Sequence, residues 1–461
     1  MIPNLRRWAS LTLSRSLPKD HAERRSRGIF QGTASGLVGR ILDLLVTIAS
    51  IPLAIRYLGG ERYGAWVTIA SVLGFLSFSD FGLGASLTNA LGKTEAEDAR
   101  DLGRRYVSSA ILVLSLIGVL VLVFGILLSP LVASFLFPSL QSQAVHVEAV
   151  VAVAIALSIF GLNFPLLVTP RILAAYQEMA FANLWNMARS LANLVALLAV
   201  IWFRGGLGWL VFGCLGLGWI INLISTIWLL VFHKPWLRPK LDAVDSAFVK
   251  NLFSDGWKFF FINAGWVINS QTDNMVIAHY LGPAQVTPYA ITFGLFTVAT
   301  VLQTLVYPSL WPAYTEAFAK RDYDWIRRTI RSNFKFSFIT SLVVVSVLTI
   351  FGSPIIRFWA GEVAVPPFAL VVWMAVWRLM LSTLLVGSCL LNATGHLKGM
   401  TIYGSVTAIL NLILSILLVR VYGIVGVIAG TVFAFAIANY IPTFIEVRNV
   451  LRKFSPALEM A

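Results

Sequence analysis

The chain has 461 residues, of which 58% are hydrophobic and only 12% charged, with a mean hydropathy of +0.81 and a formal net charge of +14. Soluble domains carry about 25% charged residues, so this composition excludes an ordinary soluble protein and predicts an integral membrane protein. The apolar runs approach the ~20 residues with which a helix crosses the hydrocarbon layer, and this length excludes a membrane β-barrel, whose alternating strands run about 10 residues.

Twelve such runs follow one another along the chain. Their predicted bounds are 29–54, 64–90, 107–128, 148–169, 180–203, 207–232, 256–281, 289–312, 336–356, 367–391, 400–420 and 423–446. Residues 1–28 are predicted to be a basic cytoplasmic tail, and residues 236–255 a cytoplasmic linker that contains proline and mixed charges.

Residues 173–212 can be laid over residues 391–430 without a gap at an offset of 218, so that Asn193 meets Asn411. Two shorter matches lie upstream. One pairs 94–96 with 315–317 at an offset of 221, and the other pairs 57–59 with 280–282; each pair is identical in sequence. The chain therefore reads as one six-span unit used twice, and such repeats are typical of transporters.

The fold class predicted from these patterns is an all-α integral membrane protein. Its twelve transmembrane helices would form two pseudo-symmetric six-helix bundles around a central cavity, with the N-terminal bundle in 29–235 and the C-terminal bundle with its tail in 256–461. Because each bundle has an even number of spans, the two would share one orientation.

Lysine and arginine predict the orientation of the chain in the membrane. With a cytoplasmic N-terminus, 26 of the 35 basic residues fall in cytoplasmic segments and five in outer loops. This asymmetry predicts cytoplasmic N- and C-termini. It also explains the net positive charge as a topology signal, so no nucleic-acid partner is expected.

Charged and polar side chains inside predicted spans are the candidate functional residues, because charges are costly in the membrane. Six are ionised and three are asparagines that share helix faces with other polar groups. They are Arg40, Arg189, Arg378, Asp43, Asp80, Asp273, Asn186, Asn193 and Asn263. We interpret them as lining a shared water-filled cavity. In the alternative, Arg40 pairs with Asp43 and the others are polar contacts between helices.

Catalytic and metal-binding patterns are not found in the sequence. It has no phosphate-binding G-x-x-x-x-G-K-[ST] motif, and the five histidines show no ligand spacing. The short outer loops carry isolated acidic residues, which argues against a polysaccharide polymerase or ligase. We therefore expect a protein that is not an enzyme and that holds no metal.

Several stretches carry a family resemblance. YLGGERYGAWVTIASVLGFLSFSDFGLG at 57–84 resembles the start of bacterial oligosaccharide flippases, which are the O-antigen and polysaccharide-export members of the multidrug/oligosaccharidyl-lipid/polysaccharide exporter superfamily. Residues 272–291 are similar to the start of that family's second half, and 306–317 and 390–430 are similar to it as well.

The resemblance implies a transporter that flips a polyprenyl-diphosphate-linked oligosaccharide across the bacterial inner membrane by alternating access, for surface polysaccharide assembly. It implies that Arg40, Arg189 and Arg378 contact the diphosphate or acidic sugars, since the arginine fork pairs two phosphate oxygens. Asp43, Asp80 and Asp273 would tune the site or carry a coupling ion, H⁺ or Na⁺, and no other cofactor is expected. Membrane lipids and proteins of polysaccharide assembly are the expected partners.

A cation-coupled exporter of small molecules, such as a multidrug transporter of the same superfamily, is the alternative. A site for cationic drugs should be dominated by carboxylates, whereas three arginines lie near mid-depth here.

Overall fold

The computed structural model of the protein describes the backbone of residues 21–138 and 143–453. Side chains are described for 31–77, 79–138, 146–254, 267–268, 270–304, 306–307, 310–396 and 399–452. Every regular element in this part of the chain is a helix. The helices are α1 (His21–Leu76), α2 (Leu83–Ala96), α3 (Arg100–Leu136), α4 (Gln143–Asn163), α5 (Val168–Ala175), α6 (Met179–Trp202), α7 (Leu207–Ile227), α8 (Ser246–Leu281), α9 (Pro283–Phe296), α10 (Val301–Ala319), α11 (Tyr323–Ala360), α12 (Phe368–Ala393), α13 (Leu397–Phe435) and α14 (Ile441–Lys453).

Nine helical stretches of described residues are long and apolar enough to cross a membrane. Two of them, Gln31–Leu76 and Gly399–Arg452, contain a glycine with non-helical geometry. Gly59 has φ 77° and ψ 170°, and Gly423 has φ 60° and ψ −141°. Because glycine adopts positive φ without a steric penalty, the chain changes direction within these two stretches. The all-helical membrane architecture is confirmed, and the number twelve stays a prediction.

The apolar surface of these helices fits a lipid environment. On α3, Leu116, Leu120, Leu127 and Leu131 lie at spacings of four and seven residues and are 56–67% exposed. These spacings place all four side chains on one helix face. Soluble proteins rarely leave such a stripe uncovered, whereas hydrocarbon chains solvate it well. The protein is therefore a multi-pass membrane protein.

The repeat in the sequence is also a repeat of backbone geometry. In the turns that follow α5 and α12, the N–H of one residue donates to the carbonyl five residues earlier, at 2.8 Å in the first copy and 2.9 Å in the second. The residue before this donor has positive φ, 59° and 77° respectively. The residues concerned are Leu173, Gln177 and Glu178 in the first copy and Leu391, Gly395 and His396 in the second. The offset of 218 read from the sequence is thus the structural offset here.

Upstream, the two copies are related by an offset of 223. Gly59 and Gly282 share positive φ and extended ψ, with Gly282 at φ 88° and ψ 161°. Asp98 and Arg321 occupy the equivalent loops with φ of 49° and 57°. The sequence match at offset 221 was therefore wrong by two residues. The three identical residues made two positions near the helix ends look equivalent. The structurally equivalent residues are instead those at which the chain leaves each helix.

The chain forms two compact units. The first lies within Met1–Ile51, Ser79–Pro130 and Val150–Phe259. Its core contains Leu83, Leu87 and Leu91, which share one face of α2 at spacings of four residues, and Val168 and Ile172 of α5. All five side chains are buried, and this contact fixes α2 against α5.

The second unit lies within Pro52–Phe78, Leu131–Ala149 and Phe260–Ala461. Tyr314, Ile326 and Leu390 are fully buried in its core, where α10, α11 and α12 meet. Its first two segments fall in the half of the sequence that we assigned to the N-terminal bundle. The compact units therefore divide the chain differently from the sequence repeat.

Within this second unit, the C-terminal part of α1 touches the start of α9 backbone to backbone. A Cβ atom on Gly64 would lie 1.7 Å from the carbonyl oxygen of Pro283. The Thr287 hydroxyl donates to the Gly60 carbonyl at 2.6 Å. About two helical turns further along α1, the Ser71 hydroxyl accepts a hydrogen bond from the side-chain amide of Asn274 of α8 at 2.9 Å. Only a glycine at position 64 permits this approach.

We expect Gly64→Ala to destabilise the protein, because the added methyl group must push α1 away from α9. The matched control is Gly294→Ala, where a Cβ would meet no atom within 4 Å. Alanine is favoured over glycine in a helix by about 0.8–1.0 kcal/mol, so the control should keep or raise the melting temperature. Thermal unfolding of both variants in detergent measures the difference. Equal shifts in the two variants would contradict the close contact.

Candidate functional site

In the first unit, α1 and α6 are joined by polar contacts along one face of each helix. The Asn183 amide donates to the carbonyl of Gly32 at 2.9 Å and to the hydroxyl of Ser35 at 3.0 Å. Two turns further along α6, the Ser190 hydroxyl donates to the Asp43 carboxylate. These contacts bring the predicted residues of the first and fifth spans into one neighbourhood.

Arg40 lies one turn before Asp43 on α1, and both side chains are exposed. No described carboxylate lies within salt-bridge distance of Arg40, so the pairing of Arg40 with Asp43 that the sequence allowed is absent from the described part of the chain. The Asp43 carboxylate faces α6 instead. The Arg40 guanidinium is exposed and has no carboxylate partner among the described residues.

Arg189 of α6 is also exposed, and its guanidinium donates to the Asn186 side-chain oxygen at 3.1 Å. Gly218 of α7 lies beside its aliphatic stem, because a Cβ on Gly218 would be 3.7 Å from two carbons of the arginine. The side-chain oxygen of Asn193 is buried without a hydrogen-bond donor among the described residues. Arg189 thus has a fixed stem and a partly free cationic head.

Asp80 has a local structural role. Its carboxylate accepts from the backbone N–H of Gly82 at 3.0 Å and lies 4.0 Å from the guanidinium of Arg171. Gly84 leaves room for that guanidinium, because a Cβ there would lie 2.5 Å from its Nε. Arg171 falls between the predicted spans 148–169 and 180–203, and the sequence analysis missed this pair, for which no spacing signal exists.

In the second unit, Asp273 of α8 is 5% exposed and its carboxylate accepts three hydrogen bonds from side chains. Tyr289 of α9 donates its hydroxyl at 2.5 Å, Thr431 donates at 3.1 Å, and the Asn411 amide donates at 3.3 Å. The Asn411 oxygen in turn accepts from Ser415 at 3.1 Å. A buried carboxylate is tolerated only with such compensation, which α9 and α13 supply to the charge carried by α8.

Arg378 of α12 is 4% exposed in the same unit. Its guanidinium donates to the Phe293 carbonyl at 3.0 Å and to the Thr297 hydroxyl at 2.7 Å. It also lies 4.6 Å from the Phe293 ring and 4.4 Å from the Trp377 ring, within the range of cation–π attraction. Its Nε has no partner among the described residues.

One face of α9 links the two buried charges. Tyr289 and Phe293 of α9 and Thr297, the residue directly after this helix, follow one another at spacings of four residues. Tyr289 binds Asp273, and the other two bind Arg378. The sequence analysis missed Tyr289, Asn411 and Thr431. Asn411 could have been found, because the internal repeat pairs it with the candidate Asn193.

The nine predicted residues thus fall into local groups. Arg40, Asp43, Asn186, Arg189 and Asn193 lie along α1 and α6, Asp80 lies in the turn before α2, and Asp273 and Arg378 share α9 as a neighbour. Asn263 falls in α8, but its side chain lies outside the described residues. Among the described residues, no three His, Cys, Asp or Glu side chains are placed to hold a metal ion. Contact with substrate or ion stays a prediction for each of the nine.

The chain matches the family described as "Polysaccharide biosynthesis protein" over residues 27–318, which is well over half of its length. The chain therefore belongs to this family of membrane proteins, and the family resemblance drawn from the sequence is confirmed.

Individual relatives extend the match along the chain. A protein of Yersinia pseudotuberculosis named for O-antigen export is 24% identical over 421 residues, covering 88% of this chain and 92% of the relative. A protein of Salmonella typhimurium named for O-antigen transport is 23% identical over 427 residues, covering 88% and 93%.

Solved structures establish the fold class. The inward-facing conformation of a multidrug resistance MATE family transporter of the MOP superfamily has a TM-score of 0.74 at 16% identity, covering 90% of this chain and 96% of that one. A MOP superfamily transporter from Pyrococcus furiosus has a TM-score of 0.64 at 14% identity, covering 93% and 96%. The chain therefore has the fold of these transporters.

We expect Asp273→Ala to lower the melting temperature of the protein in detergent much more than Asp43→Ala does. The first change leaves the donors of Tyr289, Asn411 and Thr431 buried without their acceptor, and one such group costs about 1–3 kcal/mol. The second removes one contact from an exposed carboxylate, and exposed substitutions change stability by about 0.5 kcal/mol or less. Equal melting temperatures for the two variants would contradict the buried network.

Proposed function

We propose that this protein is a flippase for a polyprenyl-diphosphate-linked oligosaccharide and that it serves surface polysaccharide assembly. The observation that carries this proposal is the family match over residues 27–318 in a chain with a transporter fold. The relatives named for O-antigen export and transport support the class of substrate. Flipping moves a polar head group across hydrocarbon, so alternating access rather than catalysis is the proposed mechanism.

The proposed topology has twelve spans in two six-helix bundles, with both termini in the cytoplasm of a bacterium and the protein in its inner membrane. The two glycine bends and the length of α8 support the count of twelve spans. The stretches that bend at Gly59 and Gly423 each supply two spans, which raises nine candidates to eleven. Helix α8, with 36 residues, supplies the twelfth. The charge asymmetry of the loops supports the orientation.

Arg40 and Arg189 are the best-supported contacts for the diphosphate. Both side chains are exposed, and neither guanidinium is neutralised by a described carboxylate. Asn186 and Asn193 on the same helix add polar groups for sugar hydroxyls, and Asn263 keeps the same proposed role. Arg378 already binds a carbonyl and a hydroxyl, so a phosphate would have to compete with these neighbours.

Asp273 is the best-supported position for a coupling H⁺ or Na⁺. Its carboxylate is buried among hydroxyl and amide groups from α9 and α13. Uptake of a proton or a cation would relieve the cost of the buried charge and change how strongly these helices are held together. Asp43 and Asp80 have weaker support, because Asp43 is exposed and Asp80 is bound to its own turn and to Arg171.

A multidrug exporter is the second candidate, and the MATE transporter structures favour it through the fold. The alternative predicts that deletion of the gene sensitises cells to cationic drugs and leaves surface polysaccharide unchanged. The flippase proposal predicts loss of surface polysaccharide, with lipid-linked units retained in the inner leaflet. Proteins of polysaccharide assembly are proposed as partners on the same basis.

We expect charge reversal at Arg40, Arg189 and Arg378, tested one at a time in the deletion strain, to reduce polysaccharide export at least ~10-fold at two or more positions. Loss of one phosphate pairing worth about 1.4 kcal/mol corresponds to a factor of ten. Arg204→Glu, in a predicted outer loop, and Arg420→Glu, at the outer end of the predicted span 400–420, are the matched controls. Immunoblots of membranes check that each variant is present. Normal export in the deletion strain, or from all three variants, would refute the proposal.

We expect Asp273→Asn to abolish the response of transport to an ion gradient. Asparagine keeps the size of the side chain but cannot exchange a proton or neutralise a cation. Purified protein in vesicles is given a pH gradient or a Na⁺ gradient, and the arrival of a lipid-linked oligosaccharide in the opposite leaflet is followed with a membrane-impermeant reagent. Asp80→Asn is the control and should still respond. The coupling role is wrong when Asp80→Asn loses the response and Asp273→Asn keeps it.

A further inference from the structure

A groove of about 780 Å³ lies in the second unit between the N-terminal third of α11, the C-terminal half of α12 and helix α14. Its floor is apolar. Phe334 and Phe444 meet edge to face with ring centroids 5.6 Å apart, and Val447 and Leu451 continue the floor along α14. Gly387 lets α12 approach α14, because a Cβ there would be 3.2 Å from the Val447 methyl group.

The rim of this groove is made of cations. Arg327, Arg331 and Lys335 follow one another at spacings of four on α11, and Arg448 and Arg452 have the same spacing on α14. Spacings of four place side chains on one helix face, so two cationic stripes border the same groove. Exposed helix faces usually alternate such cations with acids at this spacing, and these two stripes do not.

Compensation by the protein itself is slight. Arg327 donates to the Leu451 carbonyl at 3.3 Å and lies 3.9 Å from the Asp324 carboxylate. No carboxylate of the described chain lies within salt-bridge distance of the other four cations. Arg331, Lys335, Arg448 and Arg452 are all exposed. Among the described residues, the groove therefore combines an apolar floor with several unneutralised positive charges, and this favours an occupant that carries both an anion and hydrocarbon.

The depth of the groove matches the lipid head-group region. Helix α11 has 38 residues and is thus about 57 Å long, whereas the hydrocarbon core is about 30 Å thick. The predicted span 336–356 lies in the C-terminal part of this helix, so the first turns of α11 are expected to extend beyond the hydrocarbon. The three α11 cations lie within the first 13 residues of the helix, where phospholipid phosphates are found, and basic pockets between membrane helices bind such head groups.

We propose that this groove is a binding site for an anionic glycerophospholipid of the surrounding membrane. The phosphate would lie among Arg331, Lys335 and Arg448, and the acyl chains along Phe334, Phe444 and Leu451. A lipid with two phosphates should bind more tightly than a lipid with one, since the two cationic stripes offer more than one phosphate position. None of the nine candidate transport residues lines the groove, which separates this site from the proposed substrate path.

The test uses the full-length protein purified in a neutral detergent and titrated with phosphatidylglycerol, cardiolipin or phosphatidylcholine of matched acyl chains. Retained lipid is counted by native mass spectrometry, and the melting temperature is followed in parallel. We expect both anionic lipids to bind at least ~10-fold more tightly than phosphatidylcholine and to raise the melting temperature. The double variant Arg331→Gln/Arg448→Gln should lose this preference, each lost phosphate pairing contributing up to about a factor of ten.

Matched removal of charge provides the control. The double variant Lys320→Gln/Arg328→Gln removes two cations near the N-terminal end of α11. Neither residue lines the groove. It should bind anionic lipid as the wild-type protein does. Both variants should melt as the wild-type protein does in phosphatidylcholine, which excludes misfolding as the cause of lost binding. When the groove variant misfolds, the single variant Arg448→Gln replaces it.

Three results would overturn the proposal: unchanged lipid preference in the groove variant, equal loss in the control variant, or equal binding of all three lipids. Inorganic phosphate that competes as strongly as phosphatidylglycerol would show that the floor does not bind acyl chains. A polyprenyl diphosphate that displaces phosphatidylglycerol at equal concentration would make the groove a substrate site instead. The outcome is independent of transport, because binding is measured without a flipping assay.

Discussion

The structure depends on one constraint: backbone N–H and C=O groups within hydrocarbon must find their hydrogen bonds inside the protein. Helices meet this constraint, and the chain can leave a helix only where the released groups are bonded again. Just beyond the predicted spans 148–169 and 367–391, the two copies of the repeat end their helices in the same way. After α5 and after α12, a residue with positive φ turns the chain while the next N–H returns to the carbonyl five residues earlier. At these turns the two copies share a backbone hydrogen bond more than they share side chains.

Buried polar side chains also need hydrogen-bond partners, and equivalent side chains in the two copies differ in the partners that they find. Asn193 and Asn411 occupy equivalent positions at offset 218. Asn411 donates to the buried Asp273, whereas the side-chain oxygen of Asn193 has no donor among the described residues. The repeated unit therefore supplies a common scaffold on which each copy carries its own polar groups. This asymmetry agrees with the roles proposed above, in which residues of α1 and α6 contact an anion and the network around Asp273 responds to an ion.

The sequence was sufficient for the features that hydropathy and composition determine: helices, membrane environment and the internal repeat. The sequence was insufficient for features that depend on which distant residues the fold brings together. The match of 94–96 with 315–317 was out of register because short identities do not mark helix ends. The partners of Asp273 were missed because Tyr289 and Thr431 are 16 and 158 residues away from it in the chain. Hydroxyl groups are also too common in membrane helices to identify a buried network from spacing alone.

The partners that each arginine already has within the protein determine how readily it can bind an external anion. Arg171 is bound by Asp80, and Arg378 is held by a carbonyl, a hydroxyl and two aromatic rings, so both guanidinium groups already have partners in the protein. Arg40 and Arg189 have no described carboxylate beside them, and Arg189 donates only to the Asn186 side-chain oxygen among the described residues. Because a phosphate at Arg378 would have to replace hydrogen bonds that the protein already makes, Arg40 and Arg189 rather than Arg378 are the first contacts that we propose for a diphosphate.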